Sequence, residues 1–570
     1  MTNGRLVQSL VLSIAVLIAL SFGFSFGNVG NQATYFPHAL NHIYPEFLGN
    51  DWLVQETTVY HASFRWVIVG LAGLGSVAWG AAILNVVLLA ASIFTIYQIV
   101  VTLAREDALW AMALVAVCIV LDRTGSVGAS FLFSDGLQPS TLATTAWLIA
   151  IWAFLRQQYV ASGLLLALGG LFHTNFLVLG IGLFALAHLF LKEKHLAKRM
   201  LVQLVPSLLM LGFSLPLILA AASGEGASQA RDIFLLIRSP HHYVPLSYRT
   251  EFFYLGGWFL CALSALFALP GFPLQRALLA LFLAFGISLA GATLLTTVVF
   301  VPQISQLYVW RLAPFLLILS QITVAIFLIR QLSADAFEYR HRRLLAIGAL
   351  IGVLMILRWV VYVNSFSIQV AITAVLIGIY LVAWFMRRKS RGTSGQRAAA
   401  IAGCAAITVA LVLTAFNIPG VFANSTLLHD HSDGLNAWVD RTDKTSVFLV
   451  PVEFGDFRLL AGRPVVVDWK STPVKPDELI EWYSRINAIA GKPVRSLDQA
   501  VSGFRSHDLP GLRKIAGDFG ADYIVVNTAK QRLTNTAELP LFRNKKYSVY
   551  PAHPEAVGTA SAALAHSPAQ

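Results

Sequence analysis

Apolar runs of about twenty residues recur along this chain, and a run of that length is what a helix needs to cross hydrocarbon. They fall at roughly 7–27, 80–104, 108–122, 138–155, 159–174, 176–191, 200–222, 252–269, 276–300, 312–330, 344–363, 367–386 and 398–416. About thirteen transmembrane helices follow. Lipid offers backbone N–H and C=O groups no partner, so each run must pair its own as a helix. Composition agrees, with 57% of the 570 residues hydrophobic and 12% charged, where soluble chains carry about 25% charged. Soluble enzymes, disordered regulators and secreted disulfide scaffolds are thereby excluded. The run at 64–78 opens Phe64-Arg65-Trp66 and is rich in Gly, which reads as a helix lying at the membrane interface.

Basic residues between the runs set the orientation. Arg105, Arg156, the stretch Lys192–Arg199, Arg276, Arg340–Arg343 and Arg387–Lys389 alternate onto one face, which predicts that this face is cytoplasmic. An odd number of spans then places the N-terminus inside and residues 417–570 outside, in the plasma (inner) membrane of a cell. The first run is long and lacks a small-residue cleavage site, so it reads as a retained helix. The net charge of +12 does not point to nucleic acid. From residue 417 onward there are 17 Lys+Arg against 16 Asp+Glu, so the excess sits between the spans.

The outer face differs in kind. Residues 28–63 hold no Lys or Arg but three acids, Glu46, Asp51 and Glu56, with His38, His42, His61, Tyr35, Tyr44 and Trp52. Long loops in compact proteins are functional or disordered, and this one is too aromatic for disorder. A second outer loop carries Arg238-Ser239-Pro240-His241-His242-Tyr243, and a third carries Tyr308-Val309-Trp310-Arg311. Beyond residue 417 the pattern changes. Strand-like stretches at 446–451, 464–468 and 522–526 alternate with helical ones near 477–490 and 509–519, which predicts an α/β domain over 417–555, folding independently. Residues 556–570, rich in Ala, Ser and Pro, read as disordered.

Asp51 is the leading catalytic candidate. A carboxylate at the mouth of a helical bundle suits a general base on an acceptor hydroxyl. The same residue suits a divalent cation, Mg or Mn, on a phosphate. A helix cap or turn suits Gly49-Asn50-Asp51 equally. Glu46 is the second acid. Arg311 beside Trp310, and Arg358 inside a span near its outer end, are the cations placed to meet a lipid phosphate, since guanidinium matches phosphate oxygens as a fork. Both also suit interfacial anchoring. His241, His242, His173 and Tyr35 are candidates for substrate contact. Adjacent histidines point apart on an extended chain, so a metal site there lacks a third ligand. The cysteines Cys118, Cys261 and Cys404 all sit in apolar runs, and no Cys-x-x-Cys, phosphate-binding Gly-x-x-x-x-Gly-Lys-Ser/Thr, Gly-x-Ser-x-Gly or His-Glu-x-x-His is present.

This layout of many helices, a long first outer loop with an acid, and an α/β tail resembles the GT-C superfamily of membrane glycosyltransferases. In the tail, Leu435-Asn436-Ala437-Trp438-Val439, Val447–Pro451, Arg463–Asp468 and Gly520–Val526 follow the order seen in the C-terminal parts of such proteins. The resemblance implies transfer of a sugar from a polyprenyl-phosphate donor to an acceptor outside the cytoplasm. Many members carry an acidic pair soon after the first span. Here that place reads Asn28-Val29-Gly30-Asn31-Gln32, and the acid arrives only at Glu46 or Asp51. Two other classes stand beside the enzyme: a non-catalytic assembly partner for envelope polysaccharide or glycolipid, and a transporter or lipid flippase. A transporter wants polar groups at mid-membrane, whereas here most ionisable residues lie at span ends.

Overall fold

The computed structural model describes residues 2–27, 31–59, 61–122, 125–191, 195–222, 225–243, 249–268, 274–333, 394–528, 530, 531, 533 and 538–553. The apolar runs in these segments are helices, including Thr2–Gly23, Val77–Ala104, Ala108–Asp122, Pro139–Leu155, Thr174–Leu191, Gln275–Thr297 and Ala313–Ser333. Seven stretches are long and apolar enough to cross a membrane, one of them the joined pair within Val77–Asp122. Pro139–Leu155 and Tyr159–Phe172 are apolar but shorter. The expected count of about thirteen is therefore not reached by the described residues. The expected spans at 344–363 and 367–386, and with them Arg358, lie outside the described residues.

The bundle is layered around the helix that follows Arg311. Leu316–Leu319, Ile322 and Val324–Phe327 are all buried. Leu209, Phe213 and Leu219 on the helix Leu196–Ala222 face outward instead, as lipid-facing residues do. Helices approach where side chains vanish. A Cβ on Gly163 would lie 2.0 Å from the Gln203 carbonyl oxygen, so Tyr159–Phe172 and Leu196–Ala222 meet backbone to backbone. Beside that crossing Gln203 Nε2 donates to Ser162 Oγ at 2.9 Å and its Oε1 meets His188 Nε2 at 2.6 Å.

Residues 28–63 are only partly loop. Gln32–Ile43 and Trp52–Glu56 are helices, and the interfacial helix runs over Ala62–Gly73. A short hairpin, β1 (Gly125–Ser126) and β2 (Ser130–Phe131), follows the third long helix. The tail holds a four-stranded mixed sheet. Its strands are β3 (Phe448–Leu449), β4 (Tyr523–Asn527), β5 (Phe542–Arg543) and β6 (Tyr547–Pro551), in the order β3-β4-β6-β5. β3 runs parallel to β4, and the other pairs are antiparallel. Helices Pro476–Ala490, Leu497–Ser506 and Leu509–Asp518 pack against it. The stretch 464–468 is not a strand of this sheet. It makes a single bridge, Phe448 to Val465, and the Val465 N–H, which faces away from β3, is held by the Asp51 carboxylate at 2.9 Å.

The tail does not close its own core. Trp52 and Leu53 from the first long loop, and Ala230 and Ile233 from the second, are buried with Leu479, Trp482 and Ile486. Arg485 stacks over the Trp52 ring at 4.3 Å.

Candidate active site

Asp51 does not stand at an open mouth. It caps Trp52–Glu56, accepting from Val54 N–H at 3.3 Å, and it is wholly buried. Its second oxygen lies 2.7 Å from Arg458 Nε. Arg458 reaches on to Asp468 and to the Val465 carbonyl at 3.0 Å. Burial works against the Arg458 charge, but Asp51 and Asp468 outweigh it and hold the guanidinium above the ordinary arginine range. The sequence placed no partner near Asp51, and the structure supplies one from the tail. Glu46 is exposed and is not among the residues that line the cavity described next.

The cavity lies elsewhere, between three interhelical loops and the tail. Its volume is about 470 Å³. One wall is Asn31, Thr34 and Tyr35 at the start of Gln32–Ile43, and another is Ala129–Phe131 with Gln138. His173 comes from the turn between two helices and Phe176 from the first turn of Thr174–Leu191, Arg231, Phe234, Arg238, Ser239, His242 and Tyr243 from the second long loop, and Tyr308 and Arg311 from the third. Lys470 and Thr472–Val474 form the tail side. Of the candidates, Arg311, His242, His173 and Tyr35 thus line one space. His241 is exposed and does not line it, because its ring, 4.1 Å from that of His242, turns away.

Charge sets this cavity apart. Arg231, Arg238, Arg311 and Lys470 line it, and no Asp or Glu does among the described residues. Arg231 is 3.9 Å from Asp232. Arg311 is stacked over Tyr308 at 4.6 Å and Phe176 at 5.4 Å, a cation–π arrangement that leaves its N–H groups for a ligand. Its Nε is buried without a hydrogen-bond partner among the described residues, as is that of Arg238. Arg238 ends a π-helical turn, Ile233–Arg238. Its Nη2 donates to the Lys470 carbonyl at 2.8 Å and its Nη1 to Ser239 Oγ at 3.3 Å, both neutral groups. Burial lowers it to about 10. Lys470 is lowered to about 8, first by burial and then by Arg238. Its backbone is fixed from the Asp51 cluster, since Asp468 Oδ1 accepts from Lys470 N and Ser471 N at 2.7 Å.

Burial pushes the histidines around the cavity below the ordinary range. Burial, then Arg311, lowers His61 to about 3, and its ring lies 4.7 Å from His173. Burial followed by His241 lowers His242 to about 3, and His241 is lowered to about 4 by burial and Arg238. Asn31, at the place where an acid was expected from the resemblance, donates Nδ2–H to Gln138 Oε1 at 2.6 Å. For a divalent cation the fit is poor. Among the described residues no three His, Cys, Asp or Glu side chains are grouped to hold one, and both Asp51 oxygens are already engaged. Sequence reasoning missed Lys470, Gln138 and Arg458, which sit in no motif; the only signal was the placing of Lys470 two residues after the acid of a strand-like run.

Residues 433–489 match the family model of a domain of unknown function, DUF6798. That segment contains Arg458, Asp468 and Lys470. No curated protein matches the chain. Among solved structures the chain is similar to ArnT from Cupriavidus metallidurans in the apo state, at 13% identity and a TM-score of 0.53. It is also similar to that protein bound to undecaprenyl phosphate, at 15% identity and a TM-score of 0.51. Each match covers 97% of this chain and 99% of the other. The likeness is one of fold and runs over nearly the whole chain, in keeping with the fold resemblance read from the sequence.

Proposed function

We propose that this integral membrane protein is a glycosyltransferase that takes its sugar from a polyprenyl-phosphate donor and passes it to an acceptor on the outer side of the inner membrane. The observation that carries this reading is the cavity with four cationic side chains and no carboxylate among its described lining residues. Three of those cations, Arg238, Arg311 and Lys470, make no ion pair among the described residues, and unpaired charges withdrawn from water mark a place where an anion can meet them. A solved protein of the same fold binds undecaprenyl phosphate, which supports a lipid phosphate as that ligand. Arg311 would hold the donor phosphate as the fork described above, and its charge would offset the one that develops on the leaving phosphate. Asp51 holds the outer loop to the tail. The N-terminus is then cytoplasmic and the tail external.

One observation favours a second reading, an assembly partner that binds the lipid phosphate without transfer: the absence of a lining carboxylate. Turnover separates the two. The purified chain is incubated with a panel of undecaprenyl-phosphate-linked sugars, and released undecaprenyl phosphate is measured. Release above the background of an Arg311→Ala variant supports the transferase. Binding of undecaprenyl phosphate without any release supports the partner.

A further inference from the structure

Transfer to a hydroxyl requires something to take its proton, and the cavity offers no carboxylate among its described residues. Asp51 is sealed in its ion pair. Asp456, raised to about 6 by burial and by Asp468, does not line the cavity.

His242 does line it, and its surroundings fix one tautomer. Its Nδ1 lies 2.8 Å from the Gly128 carbonyl oxygen and 2.9 Å from Tyr308 Oη. Tyr308 Oη donates its one proton to that same carbonyl. A carbonyl only accepts, so Nδ1 carries a proton and donates it there. The lone pair is then on Nε2, for which no partner exists among the described residues. The backbone is bent to make this arrangement. Gly128 has φ +74°, and a Cβ there would lie 2.9 Å from Trp310 Cβ. Ala129 and Tyr308 are also left-handed, at φ 50° and 48°, conformations that persist only where their surroundings enforce them.

We propose that His242, through Nε2, is the base that takes the proton of the acceptor hydroxyl. The proposal rests on the transferase reading above. The acceptor O–H bond breaks and its proton moves to Nε2. The acceptor oxygen forms a bond to the anomeric carbon. The bond from that carbon to the donor phosphate oxygen breaks, and its electron pair leaves with the polyprenyl phosphate beside Arg311. The imidazolium then returns its proton to water. His241 and Tyr243 on the same turn, Tyr308, Arg311 and Lys470 are the titratable and charged groups around the ring. Burial and these cations keep it neutral near pH 7, and an ordinary aspartate, at about 3.9, is a base of comparable strength. The arriving phosphate offsets the Arg311 and Lys470 charges and strengthens it.

His242→Asn retains an amide N–H where Nδ1 stood and removes the basic nitrogen. In the full chain, release of undecaprenyl phosphate from a linked-sugar donor should fall by roughly 10²–10⁴-fold, the range for loss of a general base. Binding of undecaprenyl phosphate should stay within about threefold of wild type. Imidazole added to His242→Gly should restore part of the turnover, more as pH rises through about 7, where free imidazole becomes neutral; a packing role would give no such rescue. Wild-type turnover in His242→Asn, or loss in Asp456→Asn with His242→Asn unaffected, overturns the assignment and leaves the transferase reading standing. No turnover by wild type with any donor overturns both.

Discussion

Arg458 Nε lies 2.7 Å from Asp51 Oδ2, and the two residues stand 407 positions apart. Both are buried. The pair clamps the first long loop to the tail, and Asp468, which Arg458 also meets, sets the backbone that presents Lys470 to the cavity. The carboxylate chosen from the sequence for chemistry is engaged here by Val54, Arg458 and Val465.

Removal of Arg458 leaves two buried carboxylates unpaired. Arg458→Met should destabilise the protein by roughly 3–5 kcal/mol, the cost of breaking a buried ion pair from one side. Asp51→Asn keeps the Asp468 contact and should cost less. Thermal unfolding of the purified variants checks this, and Asp51→Asn as stable as wild type but inactive would restore Asp51 as a base.

Lys470 gives a pH signature. Its folded value, about 8, is depressed from 10.5, so the charged form burdens the folded state below pH 8. That burden lifts as pH rises from about 8 to 10.5, and the empty protein gains stability there. Affinity for undecaprenyl phosphate should move the other way and fall above about pH 8. Lys470→Arg, protonated throughout, should abolish the fall. Binding isotherms from pH 7 to 9.5 read it.

Arg311→Lys keeps the charge and loses the fork. Its affinity for undecaprenyl phosphate should fall by roughly tenfold, about the worth of one charge-assisted hydrogen bond, while thermal stability stays near wild type. A large stability loss with unchanged affinity would make Arg311 an anchor.

The tail by itself lacks Trp52, Leu53, Ala230 and Ile233 from its core. Residues 417–570 expressed alone should bind a hydrophobic dye and unfold with low cooperativity. A sharp, native-like transition would show that the core closes without the loops.

The spanning helices were legible because lipid imposes the same local demand on every run. Pro476–Ala490 and Leu509–Asp518 were legible for a related reason, one apolar face against a sheet. Arg311 stood out as a cation beside a span, and His242 as one of two adjacent histidines in a polar loop. The partner of Asp51 was not legible, since nothing local records a contact across 407 positions. The stretch 464–468 has strand composition, but it meets β3 at a single bridge, Phe448 to Val465, and its other edge is held by Asp51 from a distant loop. Lys470 is a lone lysine in coil, and only the fold brings it beside Arg238.

The most direct measurement is a cryo-EM map of the full chain in nanodiscs with undecaprenyl phosphate. The phosphate should lie in the cavity within hydrogen-bond distance of Arg311, with its chain leaving toward the membrane. A phosphate bound outside that cavity, or a cavity left empty at saturating lipid, would contradict the account.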